Sequence, residues 1–577
     1  MVKRVGTKLF APEKNGDRMY EICEDIDVIK KIMDLQNGTM MILLKYFVSG
    51  MYKEVLIDRA TFSKSGLLSV LPSRGVMITE SNAGLVLDYL LYREQRIPVT
   101  YKHSQVGFVK IDGKRVFLHQ KAVSEDQSIQ SYYQGDLHLE QKGTLEGELK
   151  LIRECVLGTT LEFAWILGFS APLVGYLRDL VAIDNVIVHI YGSSSTGKTS
   201  ASLLSLSTFD SPSKSRGNGL FGTWMSTPNA LMGRLSGNNG LPVVFDEGSL
   251  IEPRHYASIL YQFASGLEKS RLSHESSLRE VKRWKTSIIS TSENRILTSE
   301  NMAQGLRMRV LNLANIQWTN SAEHSEELTR RLQENFGNSG IFFVKHLLKL
   351  KEEDVIHRFW ECRDKILESL RERDTLSNRA AHKLAIIYLA AVMGEEVFNL
   401  NLNLPKILSM LVEGEAEQME QRDMAYMAFQ HVRDYVTSNI SKFIHTETSN
   451  FRQTMDVNFY DTLPKNEILG KVIKSSKGPS EIWIIRSHFD KILRLGGFLD
   501  SDVILHQLRA KGVLMCDRSK YTKKKVLYRG GDTVRVVVLR LTGHEYEKVE
   551  SSESEDDSQA KGPDLRDSLP IIEIDEI

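Results

Sequence analysis

The spacing of apolar and polar positions divides the chain into segments of different character. Residues 1 to about 125 read as mostly β. MMILLKYFV (40–48) and KEVLIDRA (53–60) flank a short turn, Ser49-Gly50-Met51-Tyr52, and GFVKI and KRVFLH flank Asp112-Gly113, a strong hairpin signal. Segment 126–150 is polar and reads as a connector. From Leu151 the spacing becomes that of long apolar helices, with Phe163–Leu177 so apolar that it predicts a buried helix, yet too short to span a bilayer. A buried strand, NVIVHIY (185–191), follows, and strands then alternate with helices to about residue 315, as in an α/β domain. FFVKHLLKL, AAHKLAIIYLAAVM and MAYMAFQHVRDYV make 326–440 helical. Over 480–541 the order predicted is a short strand (EIWII), helices at RSHFDKILRL and SDVILHQLRAKG, then a hairpin.

At 577 residues the chain exceeds what one hydrophobic core supports, so several domains are expected. They are a β-rich N-terminal collar (1–125), a connector (126–150), an α/β ATPase core (151–325), a helical region (326–440), a winged helix (441–545) and an acidic tail (546–577). The four cysteines stand singly, which excludes C-x-x-C zinc or redox sites and a disulfide framework. The N-terminus has no apolar signal-peptide core, and a reducing cytoplasm is the expected compartment.

Charge changes the picture more. The formal net charge is +0, but residues 545–577 hold twelve acids against three bases, leaving the remainder about +9, a balance suited to nucleic acid. Residues 509–540 alone carry ten Lys or Arg against two Asp, among them Lys523, Lys524 and Lys525. Two short helices followed by a basic hairpin describe a winged helix whose wing contacts duplex DNA. The tail ends in an apolar-acidic stretch, Leu569–Ile577, read either as solvating or as a peptide that docks on a replication partner or on the chain's own basic site.

The chemistry concentrates after NVIVHIY. Gly192-Ser193-Ser194-Ser195-Thr196-Gly197-Lys198-Thr199 matches G-x-x-x-x-G-K-[ST] without a gap, between a predicted strand and a predicted helix that opens with Ser200. Its backbone N–H groups are suited to cradle ATP phosphates, Lys198 to reach the β- and γ-phosphates, and Thr199 to ligate Mg²⁺. LPVVF (241–245) ends in Asp246 and Glu247; the first is expected to hold Mg²⁺ through water and the second to polarise the attacking water. The strand SIISTSEN (287–294) ends in polar residues, of which Thr291, with Ser292 as alternate, is placed to orient that water; a turn-capping cluster is the other reading. Arg307 and Arg309 enter a further apolar strand, and Arg309 is expected to act as an arginine finger on a neighbouring subunit, against a surface ion pair as the bland alternative. Between the second and third strands, residues 271–283 (RLSHESSLREVKR) read as a basic hairpin. His274 at its tip and Lys282 on its return are the candidate contacts to single-stranded DNA, or else part of a solvated face.

Together these residues resemble the superfamily 3 ring helicases and their AAA+ relatives. The chain is most similar to the bacterial and mobile-element proteins grouped as domain of unknown function 927, such as the cassette-chromosome helicases of staphylococcal mobile islands. The resemblance rests on SSSTGKT, on GTWMSTPNAL (222–231), on VVFDEG, on GLEKSR (266–271) followed by Trp284, and on GFVKIDGKRVF, and covers about residues 100–400. It implies an AAA+ P-loop NTPase core and a Mg²⁺-ATP-driven hexamer that encircles single-stranded DNA during replication. Two rival readings are a regulatory ATPase switch that unwinds nothing, and an origin-binding initiator whose ATP site governs only assembly. The chain lacks a primase-like acid cluster and an N-terminal zinc-ligand set, so the collar is expected to be held by packing alone.

Overall fold

The computed structural model describes residues 2–541, apart from 14–17, 216, 251–252, 270–280, 297–307, 371–372, 374–375, 449–467, 476–479, 499, 518–519 and 529. His274, Arg271, Arg307 and the acidic tail therefore lie outside the described residues. Two compact units emerge, one comprising Met1–Ile296 with Met308–Ala416, the other containing the described residues from Glu417 onward.

The first unit begins with a three-stranded antiparallel sheet (Lys3–Val5, Lys8–Pro12, Met19–Glu24). Beside it lies a five-stranded sheet in the order Ser131–Tyr133, Val99–His103, Ile26–Asp34, Met40–Val48, Met51–Asp58. Met40–Val48 and Met51–Asp58 form the expected hairpin, but its turn is only Ser49-Gly50, both at positive φ (50° and 81°), and Met51 and Tyr52 already pair as strand residues. A two-residue turn of this hand matches the twist of the flanking strands. The β-only reading of this region misses two helices, Lys64–Val70 and Ala83–Glu94. They form the crossover that returns the chain to Val99–His103, which runs parallel to Ile26–Asp34 and so cannot be reached by a tight turn. The signal was present: Ala83, Val86, Tyr89 and Leu90 are buried at helical spacing. The segment read as a connector contributes a strand, Ser131–Tyr133, and a helix, Leu145–Leu151.

The second hairpin, Val106–Ile111 with Lys114–Leu118, turns at Asp112-Gly113 as the sequence predicts. Its first strand, Val106–Ile111, pairs in parallel with Asn238–Asn239, so one sheet joins the N-terminal region to the residues that lead into strand Val243–Asp246. Gly107 makes that approach possible: a β-carbon there would stand 2.1 Å from the Asn239 backbone, and its φ is +86°.

The centre of this unit is a wholly parallel five-stranded sheet in the order Phe221–Thr223, Val243–Asp246, Ser287–Ser292, Val186–Tyr191, Val310–Ala314. Every residue of Val186–Tyr191 is buried, which explains a run that is apolar but for His189 where a half-exposed strand would alternate. The apolar segment read as a buried helix is Leu161–Val181, nearly all of it covered despite Pro172 in its interior. Helix Ser377–Phe398 packs on it, with Phe398 meeting the rings of Trp165 (5.1 Å between centroids) and Phe169 (5.3 Å). Among the described residues no helix is long and apolar enough to cross a membrane.

In the second unit, five strands lie in the order Phe443–Thr448, Gly470–Ser475, Ser480–Ile485, Thr533–Leu541, Lys523–Val526. Helices Met424–Ser438, Arg486–Leu495 and Ser501–Ala510 share a core with the sheet through Phe429, Val432, Phe489, Leu505, Ile484 and Val537. The strand, helix, helix, hairpin order read over 480–541 is the order observed.

Candidate functional site

The C-terminal edge of the parallel sheet gathers most of the sequence-predicted residues. Strand Val186–Tyr191 runs into the Gly192–Gly197 loop, and helix Lys198–Ser207 leaves it. The loop is tightly seated: a β-carbon on Gly192 would stand 2.7 Å from Asn315 Oδ1, and one on Gly197 2.7 Å from Thr319 Oγ1. Both glycines and Ser195 have positive φ (139°, 83° and 65°). The loop therefore turns back over the helix N-terminus, whose unpaired N–H groups and positive dipole end favour an anion. Lys198 Nζ donates to the carbonyls of Gly192 (2.9 Å) and Ser193 (2.6 Å). Burial lowers its pKa, opposed by the nearby carboxylates of Glu293 and Asp246.

Asp246, ending its strand, receives three donors. The Thr199 hydroxyl lies 3.4 Å from Oδ2, the Glu247 N–H 3.0 Å from Oδ1, and the Thr291 hydroxyl also donates to Oδ1. Thr291 is buried, and having given its only proton to Asp246 it retains lone pairs to accept from a water. Ser292, the alternate, is differently occupied: its hydroxyl accepts from the Asn294 N–H and donates to the Asn294 carbonyl, closing a turn. Glu247 is exposed, with φ of +65°. A non-glycine residue held in the left-handed region costs on the order of 1–3 kcal/mol, and such positions gather at functional sites. Ser200 faces elsewhere, its hydroxyl 2.6 Å from that of Ser325.

Hard oxygen donors at one edge, a hydroxyl and a carboxylate, suit Mg²⁺, which takes few protein ligands and keeps its waters. Thr199 and Asp246 meet that description. Beside the loop opens a cleft of about 580 Å³ lined by Gly192, Ser193, Ser194, Glu293, Arg295 and Asn315 among others. Sequence reasoning missed Glu293, Arg295 and Asn315. Each sits just past a strand, and only the strand order brings them together.

The remaining candidates lie away from this edge. Arg309 precedes Val310, which pairs with Ile187, so it sits at the opposite end of the sheet from the loop. Its guanidinium is 3.7 Å from Asp184 and 5.0 Å from the centre of the Tyr261 ring. Lys282 belongs to the base of the 270–280 insertion, where its carbonyl accepts from the Glu268 N–H (3.0 Å) and Leu267 bridges Arg283. Arg178 spans that base, donating to the carbonyl of Ser265 on one leg and of Trp284 (3.0 Å) on the other. His274, expected at the tip, lies outside the described residues. Lys523, Lys524 and Lys525 occupy the hairpin strand at the sheet margin. Lys524 is exposed on one face, while Lys523 and Lys525 share the other, Lys525 Nζ standing 4.7 Å from the Trp483 ring centre.

Fold and site together define a mixed α/β protein with a parallel-sheet core, an anion-ready strand–loop–helix turn and a separate helix-and-hairpin unit. Two family models match the chain: one described as "Domain of unknown function (DUF927)" over residues 3–283, and one described as "Cch helix turn helix domain" over 423–544. The chain is thus similar to the DUF927 family over its first part and to the Cch helix-turn-helix domain towards its end. The solved structure described as "SCCmec type IV Cch - active helicase" shares its fold, with a TM-score of 0.71 and 23% identity, covering 93% of this chain and 98% of that one. No curated protein matches the chain.

Proposed function

We propose that the protein is an ATP-dependent, ring-forming DNA helicase or translocase that serves the replication of a mobile genetic element. The observation that carries this reading is the convergence of Lys198, Thr199, Asp246 and Thr291 at one sheet edge, below a loop whose turn suits phosphates. The fold shared with a protein described as an active helicase supports the same conclusion. In this reading the core is a P-loop ATPase. The loop N–H groups hold the phosphates, Lys198 releases the Gly192 and Ser193 carbonyls to bind them, and Thr199 with Asp246 would hold Mg²⁺, which supplies charge neutralisation on the phosphates. Glu247 orients and polarises water, with Thr291 holding Asp246 in register. The insertion after Gly266 grips single-stranded DNA in a central channel, and the basic hairpin of the second unit grips duplex.

Strand displacement on a forked DNA with and without ATP tests the proposal. ATP-dependent release of the strand is the expected result. ATP hydrolysis with no displacement, on forks of either tail polarity, would overturn it in favour of a regulatory ATPase.

The two DNA surfaces separate by their failures. Replacing His274 and Lys282 by Ala removes an imidazole and an ammonium that lie outside the phosphate loop in the sequence. Basal hydrolysis should stay near the parent's while stimulation by single-stranded DNA and unwinding are lost. Unwinding at the parent rate would remove the insertion from the channel. Replacing Lys523, Lys524 and Lys525 by Ala should weaken duplex binding and flatten its dependence on log salt by up to about 3, one released counterion per phosphate contact. An unchanged slope in a salt titration would show that this strand touches no phosphates.

A further inference from the structure

Glu293 is an acid lodged where an anion is expected to bind. The Ser194 hydroxyl, in the middle of the phosphate-binding loop, donates to Glu293 Oε1. The backbone that carries this carboxylate is fixed from both sides. The Glu293 N–H donates to Ser249 Oγ (2.9 Å), just beyond Glu247, and the next carbonyl, that of Asn294, is 3.1 Å from Nε2 of the buried His189. The side chain itself is exposed and lines the cleft with Gly192, Ser193 and Asn315. Among the charges acting on Lys198, Glu293 precedes even Asp246. It is thus an acid hydrogen-bonded to the loop, with room beside it to leave.

We infer that Glu293 competes with the terminal phosphate of the nucleotide for the loop, and so sets the relative affinity for ATP and ADP. The inference rests on reading Gly192–Thr199 as a nucleotide site. A carboxylate and a phosphate oxygen are both acceptors, so the Ser194 proton serves one or the other. They also repel, and the repulsion is greatest for the nucleotide with the more extended and more highly charged phosphate chain. Empty, the loop holds its own acid through the Ser194 hydroxyl. Nucleotide entry turns Glu293 outward into the cleft, at a cost larger for ATP than for ADP, which makes release of the terminal phosphate the step that lets the acid return. Since the side chain faces solvent, the effect is screened and depends on salt.

Glu293→Gln keeps the side chain's shape and its acceptor for Ser194 while removing the charge. Fluorescent ATP and ADP analogues titrated onto the full chain at low salt provide the measurement. ATP affinity should rise about tenfold and ADP affinity about threefold or less, the moderate size reflecting Coulomb repulsion at a wet site. Both gains should shrink at high salt. Lys198→Ala, titrated in parallel, tests the underlying reading. If the parent and Lys198→Ala bind equally, the loop is not the nucleotide site. If Lys198→Ala loses binding while Glu293→Gln leaves both affinities unchanged, the site stands and the competition is overturned. Slower hydrolysis with unchanged affinities would also overturn it, since Glu293 would then act on bound ATP.

Discussion

Lys198→Ala is expected to bind nucleotide more weakly and to lose hydrolysis, whereas Glu247→Gln is expected to bind ATP and fail to hydrolyse it. The difference follows from what each side chain touches. Lys198 Nζ already lies within the loop, on the Gly192 and Ser193 carbonyls, so its charge meets the phosphates in the ground state. Charge-assisted hydrogen bonds contribute about 1.5–3 kcal/mol, so its loss should weaken nucleotide binding by roughly 10- to 100-fold. Glu247 stands outside the loop, exposed, on a strained backbone that follows Asp246. In the proposed mechanism its carboxylate acts on water, and positioned acid–base groups contribute typically about 10²–10⁴-fold in rate. Affinity should therefore hold within about threefold for Glu247→Gln while turnover falls by that factor. A trapped ATP complex should also stay on single-stranded DNA. Equal loss of nucleotide in both variants, measured by equilibrium titration, would show that the two residues do not divide the work in this way.

The strand–turn–helix at Gly192–Thr199 and the strand end at Asp246 were legible because each motif is contiguous, and each lies at the end of a buried strand whose apolar run is itself a signal. Asp112-Gly113 and the 480–541 order were legible for the same reason: turn chemistry and periodicity act over a few residues. Two kinds of feature were not. The helices at 64–70 and 83–94 were absorbed into a β reading, because the parallel pairing of Val99–His103 with Ile26–Asp34 that requires a crossover is a long-range fact. Glu293, Asn315 and Arg178 act through partners about a hundred residues away: Ser194, Gly192 and Trp284. No local spacing marks an acid after a strand as the partner of a loop serine. The different partners of Thr291 and Ser292 likewise depend on the parallel strand order, which sets Thr291 against Asp246 and leaves Ser292 to its turn.

Arg309→Ala should reduce ATP turnover by about 10³–10⁵-fold while leaving nucleotide binding by each subunit nearly intact, as removal of an arginine finger does. The prediction is demanding because Arg309 also has partners within its own chain, Asp184 at 3.7 Å and the Tyr261 ring at 5.0 Å. Those contacts set the size of the competing, purely structural effect. A partly exposed ion pair contributes about 0–1 kcal/mol and an exposed cation–π contact about 0.5–1 kcal/mol, far short of three to five decades in rate. Thermal unfolding measured beside turnover separates the two. A small drop in stability with a collapse of hydrolysis assigns the guanidinium to a neighbour's phosphate. It would have to leave Asp184 and Tyr261 in the assembled ring. Arg309→Lys should not rescue turnover, because an ammonium keeps the charge and lacks the planar fork. Mixing Arg309→Ala with Lys198→Ala should restore part of the activity, since some interfaces then pair an intact loop with an intact arginine. Near-normal turnover of Arg309→Ala would end its role as a finger and leave Arg307 as the remaining candidate. No recovery in the mixture, with ring assembly confirmed, would mean that the site is not shared between subunits.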